Sequence, residues 1–211
     1  MKKICISLIM AAVMIFTLLG CSNNNQPEVH EVNLVVGGDK SPAEPSELLS
    51  GKYSVRIEIE NYGDIVLELD ADSAPISVTN FMKLVNEDFY SGLTFHRIIN
   101  GFMMQGGESK EKKADNIKGE FSANGIDNPI RHERGVISMA RANDPNSADS
   151  QFFICHQDSF FLDGQYAAFG HVVSGMDVVD RICEEAIVVD NNGTVLPDNQ
   201  PVIKGIYDIT E

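Results

Sequence analysis

Two stretches of strict alternation, YSVRIEIE at 53–60 and IVLELD at 65–70, flank the turn-forming NYGD at 61–64. Successive strand side chains point to opposite faces. Tyr53, Val55, Ile57 and Ile59 therefore share one face with Ile65, Leu67 and Leu69 across a β-hairpin. A hairpin with one oily face is stable only when more strands or helices cover that face. Further short apolar runs follow: LTFHRII, GFMMQGG, GVISMA, SQFFICH, YAAFGHVV and PVIKGIYDIT. Each reads as a strand. Two segments carry helical spacing instead. In SAPISVTNFMKLVNEDFYSG, Val78, Phe81 and Val85 recur at helical intervals, Ser73 can cap, Pro75 suits the first turn, and Tyr90-Ser91-Gly92 ends the helix. In SGMDVVDRICEE, Ser174 is the expected cap. Residues 108–134 are polar and turn-rich and read as a long loop. Many strands with two helices predict a mainly β antiparallel barrel or sandwich capped by helices.

The N-terminus reads differently. MKK is a basic start, ICISLIMAAVMIFTLLG is apolar, and Leu18-Leu19-Gly20-Cys21 closes the run. This order predicts a secretory signal over 1–20, and the last four residues resemble the lipobox at which bacterial lipoproteins are lipidated on cysteine. Cys21 is the expected lipid site and residues 21–50, rich in Asn, Pro, Ser, Gly and Glu, a flexible tether. An uncleaved membrane anchor is the alternative, though the apolar run falls short of the roughly 20 residues that span a bilayer. Residues 51–211 form the expected globular domain. A formal charge of -15 over 211 residues argues against a nucleic-acid partner, which requires clustered Lys and Arg. The acid is otherwise what a solvated surface carries. GGDKS at 37–41 lacks the Gly-Lys step of a phosphate-binding loop.

The unusual residue is Arg97. In FHRIINGFMMQGG, a permanent cation sits among Phe95, Ile98, Ile99, Phe102, Met103 and Met104. By parity Met103 and Gln105 share a face and Met104 takes the other, while Gln151 and Phe153 share a face opposite Phe152. Taken alone, Met103 and Phe153 would be core residues and Arg97 an ion-paired or snorkelling side chain.

Five motifs change that reading. TFHRIINGFMMQGG, GEFSANG, HERGVISMAR, NSADSQFFI and FLDGQYAAFGHVVSGMDVVD, in this order from about residue 53 onward, together resemble the cyclophilin family of peptidyl-prolyl cis-trans isomerases. The resemblance implies a closed antiparallel eight-stranded barrel capped by two helices, with no cofactor and no covalent intermediate. It implies Arg97 and Gln105 as catalytic residues. Phe102, Met103, Phe153 and Leu162 would form the pocket for the proline ring. Ala140, Arg141 and Ala142 would pair their main chain with an extended peptide, and Gln151 would line the groove beside them. Phe161 and Tyr166 complete the implied substrate-binding set.

This sequence departs from the family pattern at three of these positions. Phe161 stands where many members have tryptophan, which puts tight cyclosporin binding in doubt. Tyr166 stands where many have histidine, and keeps a ring with a polar tip. Arg141 replaces a common asparagine and is expected to act through its backbone.

No metal site is expected, because His30, His96, His132, His156 and His171 show no ligand spacing. His96 is expected to face the core with a hydrogen-bond partner. No GxSxG elbow appears, so a serine hydrolase is not expected. Cys155 and Cys183 are expected as unpaired thiols without a histidine partner. The expected partners are proline-containing polypeptides and, through Cys21, a membrane on its exported face; the chain is expected to be a monomer. Two functions follow: an isomerase for exported proteins, or a chaperone or scaffold that holds proline segments with weak or no catalysis. Only the first requires Arg97.

Overall fold

The computed structural model describes residues 47–211. The expected signal over 1–20, Cys21, His30 and most of the tether lie outside the described residues. Leu49, expected at the end of the tether, already donates its N–H to Thr79 Oγ1 at 2.9 Å and packs on the core.

The strands are Lys52–Ile59 (β1), Gly63–Asp70 (β2), Phe95–Ile99 (β3), Met103–Gly106 (β4), Val136–Met139 (β5), Phe152–Cys155 (β6), Ala168–Ser174 (β7) and Ile203–Asp208 (β8). The helices are Pro75–Asn86 (α1) and Met176–Glu185 (α2). All pairings between strands are antiparallel, in the order β3-β4-β6-β5-β7-β2-β1-β8. The two outermost strands are stitched by a bridge between Thr94 and Val202. Phe95 N–H donates to the Pro201 carbonyl at 3.0 Å and Ile203 N–H to the Leu93 carbonyl at 2.8 Å. Closure of this kind leaves little unpaired sheet edge.

Alternation decides the interior. Val55, Ile57, Ile65, Leu67 and Leu69 are completely buried and join Phe95, Ile98, Met104, Phe152, Ile154 and Phe169 in one core. At its centre Phe152 meets the Phe81, Tyr90 and Phe95 rings edge-on, at 5.6, 5.6 and 5.9 Å between centroids, a favoured aromatic geometry. α1 contributes Val78, Phe81 and Val85 and α2 contributes Val179 and Ile182 to the same core.

The helix ends differ from the sequence expectation. Ser73 does not cap α1; its hydroxyl donates to Asp70. The first-turn amides that lack an intrahelical partner are met instead by a distant carboxylate. Glu120, 1% exposed, accepts Ile76 N–H at 2.8 Å and Ser77 N–H at 2.7 Å, which places a negative charge at the positive end of the helix. Burial pushes the Glu120 pKa up, and these hydrogen bonds oppose it. α1 stops at Asn86 rather than Tyr90, because Asp88 turns left-handed at φ 51° and Tyr90 enters the core. Ser174 does not cap α2; it ends β7, and Gly175 at φ 89° makes the turn.

Candidate active site

The outer face of the sheet carries a second, smaller apolar cluster. Met103, Ala140, Phe153, Cys155 and Leu162 are buried there, with Ile99, Phe102 and Tyr166 packed beside them. Register explains the grouping. Arg97 on β3 lies opposite Gln105 on β4, and Gln105 lies opposite Phe153 on β6, so the three form one cross-strand row. Met103 is two residues from Gln105 on the same face. A register shift between Phe95 and Arg97 re-aims Arg97 outward, as bulges do.

Arg97, Phe102, Met103, Gln105, Ala140, Arg141, Phe153, Leu162 and Tyr166 line one open cleft of about 420 Å³. The Phe160–Leu162 turn and the loop to Tyr166 form its far wall. Tyr166 stands edge-on to Phe153, at 5.9 Å and 84°.

The Arg97 guanidinium is held in place. Nε donates to the Asn192 carbonyl at 2.8 Å and Nη1 to Gln105 Oε1 at 3.2 Å. Gln105 Nε2 in turn donates to Gln151 Oε1 at 3.0 Å. Among the described residues Nη2 makes no hydrogen bond and Arg97 has no carboxylate partner. Asn192 was not anticipated from the sequence. It acts through a backbone carbonyl, which no residue type announces. Asp190 shapes that turn by accepting the N–H groups of Asn192 and Thr194 at 2.9 and 3.0 Å. Gly193 is required in it, with φ +80° and no room for a Cβ beside the Ile98 carbonyl.

Three expected site residues lie outside the cleft lining. Gln151 reaches it through Gln105, whose amide donates to its side chain, and through Ala140. Phe161 is 65% exposed and leans on Phe102 at 5.4 Å. Ala142 is already engaged: its N–H donates to Ser147 Oγ and its carbonyl accepts from Arg141 Nη1. Ala140 N–H is also used, by the Gln151 carbonyl at 2.9 Å. Of the three main-chain residues expected to pair with a peptide, Arg141 alone keeps both its N–H and its carbonyl unpaired among the described residues. Its side chain is engaged as well. Nε and Nη2 donate to the Gln165 carbonyl at 3.0 and 2.8 Å, and the guanidinium lies 4.6 Å from the Tyr166 ring.

Behind the cleft, Asp163, His132 and Ser138 form a hydrogen-bonded chain. His132 Nδ1 lies 2.9 Å from Asp163 Oδ1, and Nε2 lies 3.0 Å from Ser138 Oγ. An ionised carboxylate only accepts, so Nδ1 carries the proton and Nε2 accepts the Ser138 hydroxyl. Ser138 is fully buried and cannot meet a substrate as a nucleophile. The His132 ring instead stacks on Phe153 at 6.0 Å and 15° and backs the pocket wall. Burial is the largest influence on His132 and pushes its pKa down, against the pull of Asp163. The fold therefore favours neutral His132. That stability is complete above histidine's ordinary pKa of about 6.5 and is lost as pH falls from there through the folded value. His132→Gln is expected to flatten the fall in urea midpoint on acidification below pH about 6.5; an unchanged slope would place the acid sensitivity elsewhere.

His96 is half-buried rather than core, and its buried Nδ1 has no hydrogen-bond partner among the described residues. Cys155 and Cys183 are both free and buried, and burial pushes each thiol up to about 12, which makes them poor nucleophiles. No group of three or more potential metal ligands occurs among the described residues.

Residues 54–207 match the family model described as cyclophilin type peptidyl-prolyl cis-trans isomerase/CLD. The chain is 48% identical over 127 residues to peptidyl-prolyl cis-trans isomerase A of Dickeya dadantii, covering 58% of this chain and 67% of that one. It is 42% identical over 130 residues to peptidyl-prolyl cis-trans isomerase B of Escherichia coli, covering 58% and 79%. Its fold is similar to the crystal structure of a cyclophilin type isomerase from Cryptosporidium parvum, with a TM-score of 0.65 and 28% identity over 76% of this chain and 99% of the other.

Proposed function

The chain belongs to the cyclophilin-type peptidyl-prolyl cis-trans isomerase family, and from that premise we propose how its cleft performs the isomerisation and where. The bond before proline has a rotation barrier of about 18–20 kcal/mol, because the nitrogen lone pair is delocalised into the carbonyl. In that planar state the nitrogen accepts hydrogen bonds poorly. At the twisted transition state the lone pair localises and becomes a good acceptor. A fixed donor aimed at it binds the transition state better than the ground state, which is what lowers a barrier.

The observation that carries this reading is the Arg97 guanidinium. It is pinned by Asn192 and Gln105, free of any carboxylate among the described residues, and left with Nη2 unclaimed at the edge of an apolar cleft. Phe102, Met103, Phe153 and Leu162 take the proline ring and exclude water, which strengthens the arginine's hydrogen bond. The unpaired Arg141 N–H and carbonyl take the peptide backbone. Gln105 orients Arg97. A module that only bound proline segments would gain nothing from such a donor.

The test is cis-trans exchange in a short X-Pro peptide, measured with the purified chain. Exchange faster than the uncatalysed tens to hundreds of seconds is expected. Binding without acceleration would leave only the chaperone or scaffold reading.

The proposed setting is outside the cytoplasm. Residues 1–20 act as an export signal, Cys21 takes lipid and holds the domain at a membrane, and the clients are proline-containing segments of exported proteins as they fold. Cys21→Ala is expected to abolish incorporation of labelled fatty acid in bacterial cells and to release the domain from the membrane fraction. Retention of label in that variant would remove the anchor from the account.

A further inference from the structure

We propose that the cleft prefers prolines flanked by an acidic residue, and that Arg141 confers the preference; this rests on the cleft being the isomerase site. Arg56, Arg131 and Arg134 each pair with a carboxylate, at 3.1, 3.3 and 2.8 Å. Among the described residues Arg97 and Arg141 do not, and neither does Arg181, which donates to the Tyr62 carbonyl away from the cleft. The hydrogen bonds of Arg97 and Arg141 go to carbonyl oxygens of Asn192, Gln105, Gln165, Ala142 and Asn143 and, from Arg97, to the Met103 sulfur. Such dipoles satisfy donors without cancelling the charge. No Asp or Glu lines the cleft. Asp144, on the loop that follows Arg141, turns its Oδ1 to Asn146 N–H. Asp163, behind the far wall, is taken by Arg131 and His132. The cleft thus concentrates two uncompensated cations in a chain whose formal charge is -15.

The two fields oppose one another, and range separates them. Charges more than about 8 Å apart are largely screened at physiological ionic strength, so the remote acids fade while the arginines at the cleft act on a residue bound beside them. Arg141 is also preorganised. It is pinned to the Gln165 carbonyl and lies over the Tyr166 and Phe121 rings, at 4.6 and 5.1 Å. Little side-chain freedom remains to be lost when an anion arrives.

The experiment compares kcat/KM for X-Pro peptides carrying Glu, Ala or Lys immediately before the proline and, in a second set, immediately after it. At about 0.15 M salt, where the Debye length is near 8 Å, glutamate is expected to exceed alanine by about two- to fivefold in at least one set, with lysine lowest. The ratio is expected to approach one at about 1 M salt, where the Debye length is roughly 3 Å. Within each variant the glutamate-to-lysine ratio is read rather than the absolute rate. Arg141→Gln is expected to erase it and Arg141→Lys to keep its direction. Equal rates across all charges, a preference for lysine, or a glutamate preference that survives Arg141→Gln would each overturn the proposal. If the alanine peptides were not accelerated either, the isomerase reading of the cleft would fail first.

Discussion

Arg97→Ala is expected to lower kcat/KM for an X-Pro peptide by about ten- to a few-hundredfold while changing peptide affinity only slightly. A hydrogen bond to a charged group contributes about 1.5–3 kcal/mol, and each 1.36 kcal/mol is about one decade in rate. Because the nitrogen is a good acceptor only when twisted, the loss falls on the transition state. The fold itself should be spared. Arg97 is partly exposed and its partners, the Asn192 carbonyl and the Gln105 side chain, reach water when it is removed. Arg97→Lys keeps the charge but loses the fork that lets one nitrogen be anchored while another points at substrate, so an intermediate rate is expected. Exchange rates and peptide titration on the same preparations check both quantities. Equal losses in rate and affinity would show that Arg97 simply holds the ground state.

Two adjacent phenylalanines should respond in opposite ways. Phe152→Ala is expected to destabilise the protein by about 3–5 kcal/mol, as for other large-to-small core substitutions. Its ring is fully buried between those of Phe81, Tyr90 and Phe95, so its removal leaves a cavity at the centre of the core. Phe153→Ala empties the cleft wall instead, where solvent or substrate can enter. A smaller stability cost is expected there, with a fall of about tenfold or more in kcat/KM from lost apolar contact with the proline ring. Urea unfolding and the exchange assay on both variants separate the two effects. Similar stability losses with no difference in activity would contradict the division of β6 into a core face and a substrate face.

That Phe152 and Phe153 face opposite ways was legible before any coordinates, because side-chain direction follows directly from the strand repeat; which face would meet substrate came from the family resemblance, since taken alone both would be core. The alternation over 53–69 predicted the hairpin and its buried face, and the same parity separated Met103 from Met104 and Phe152 from Phe153. His96 escaped the argument because the register shift between Phe95 and Arg97 interrupts the repeat on which parity depends. Caps inferred from neighbouring residues failed for the same kind of reason. Ser73 and Ser174 had suitable chemistry, but a carboxylate 44 residues from Ile76 took the first role and a glycine turn the second.

What the sequence determined by itself was whatever depends on residue chemistry and short-range geometry. That includes an eight-strand pattern with two helices, a permanent cation inside an apolar run, and the family whose motifs the chain carries in order. Tertiary structure decided how the cation is held. The Asn192 carbonyl lies 95 positions from Arg97, and Asp163 lies 31 from His132. Arg141 and the Tyr166 ring come from two different loops. Such pairings exist only once the sheet curls and its ends are stitched, since closing a barrel brings together segments that no local repeat relates.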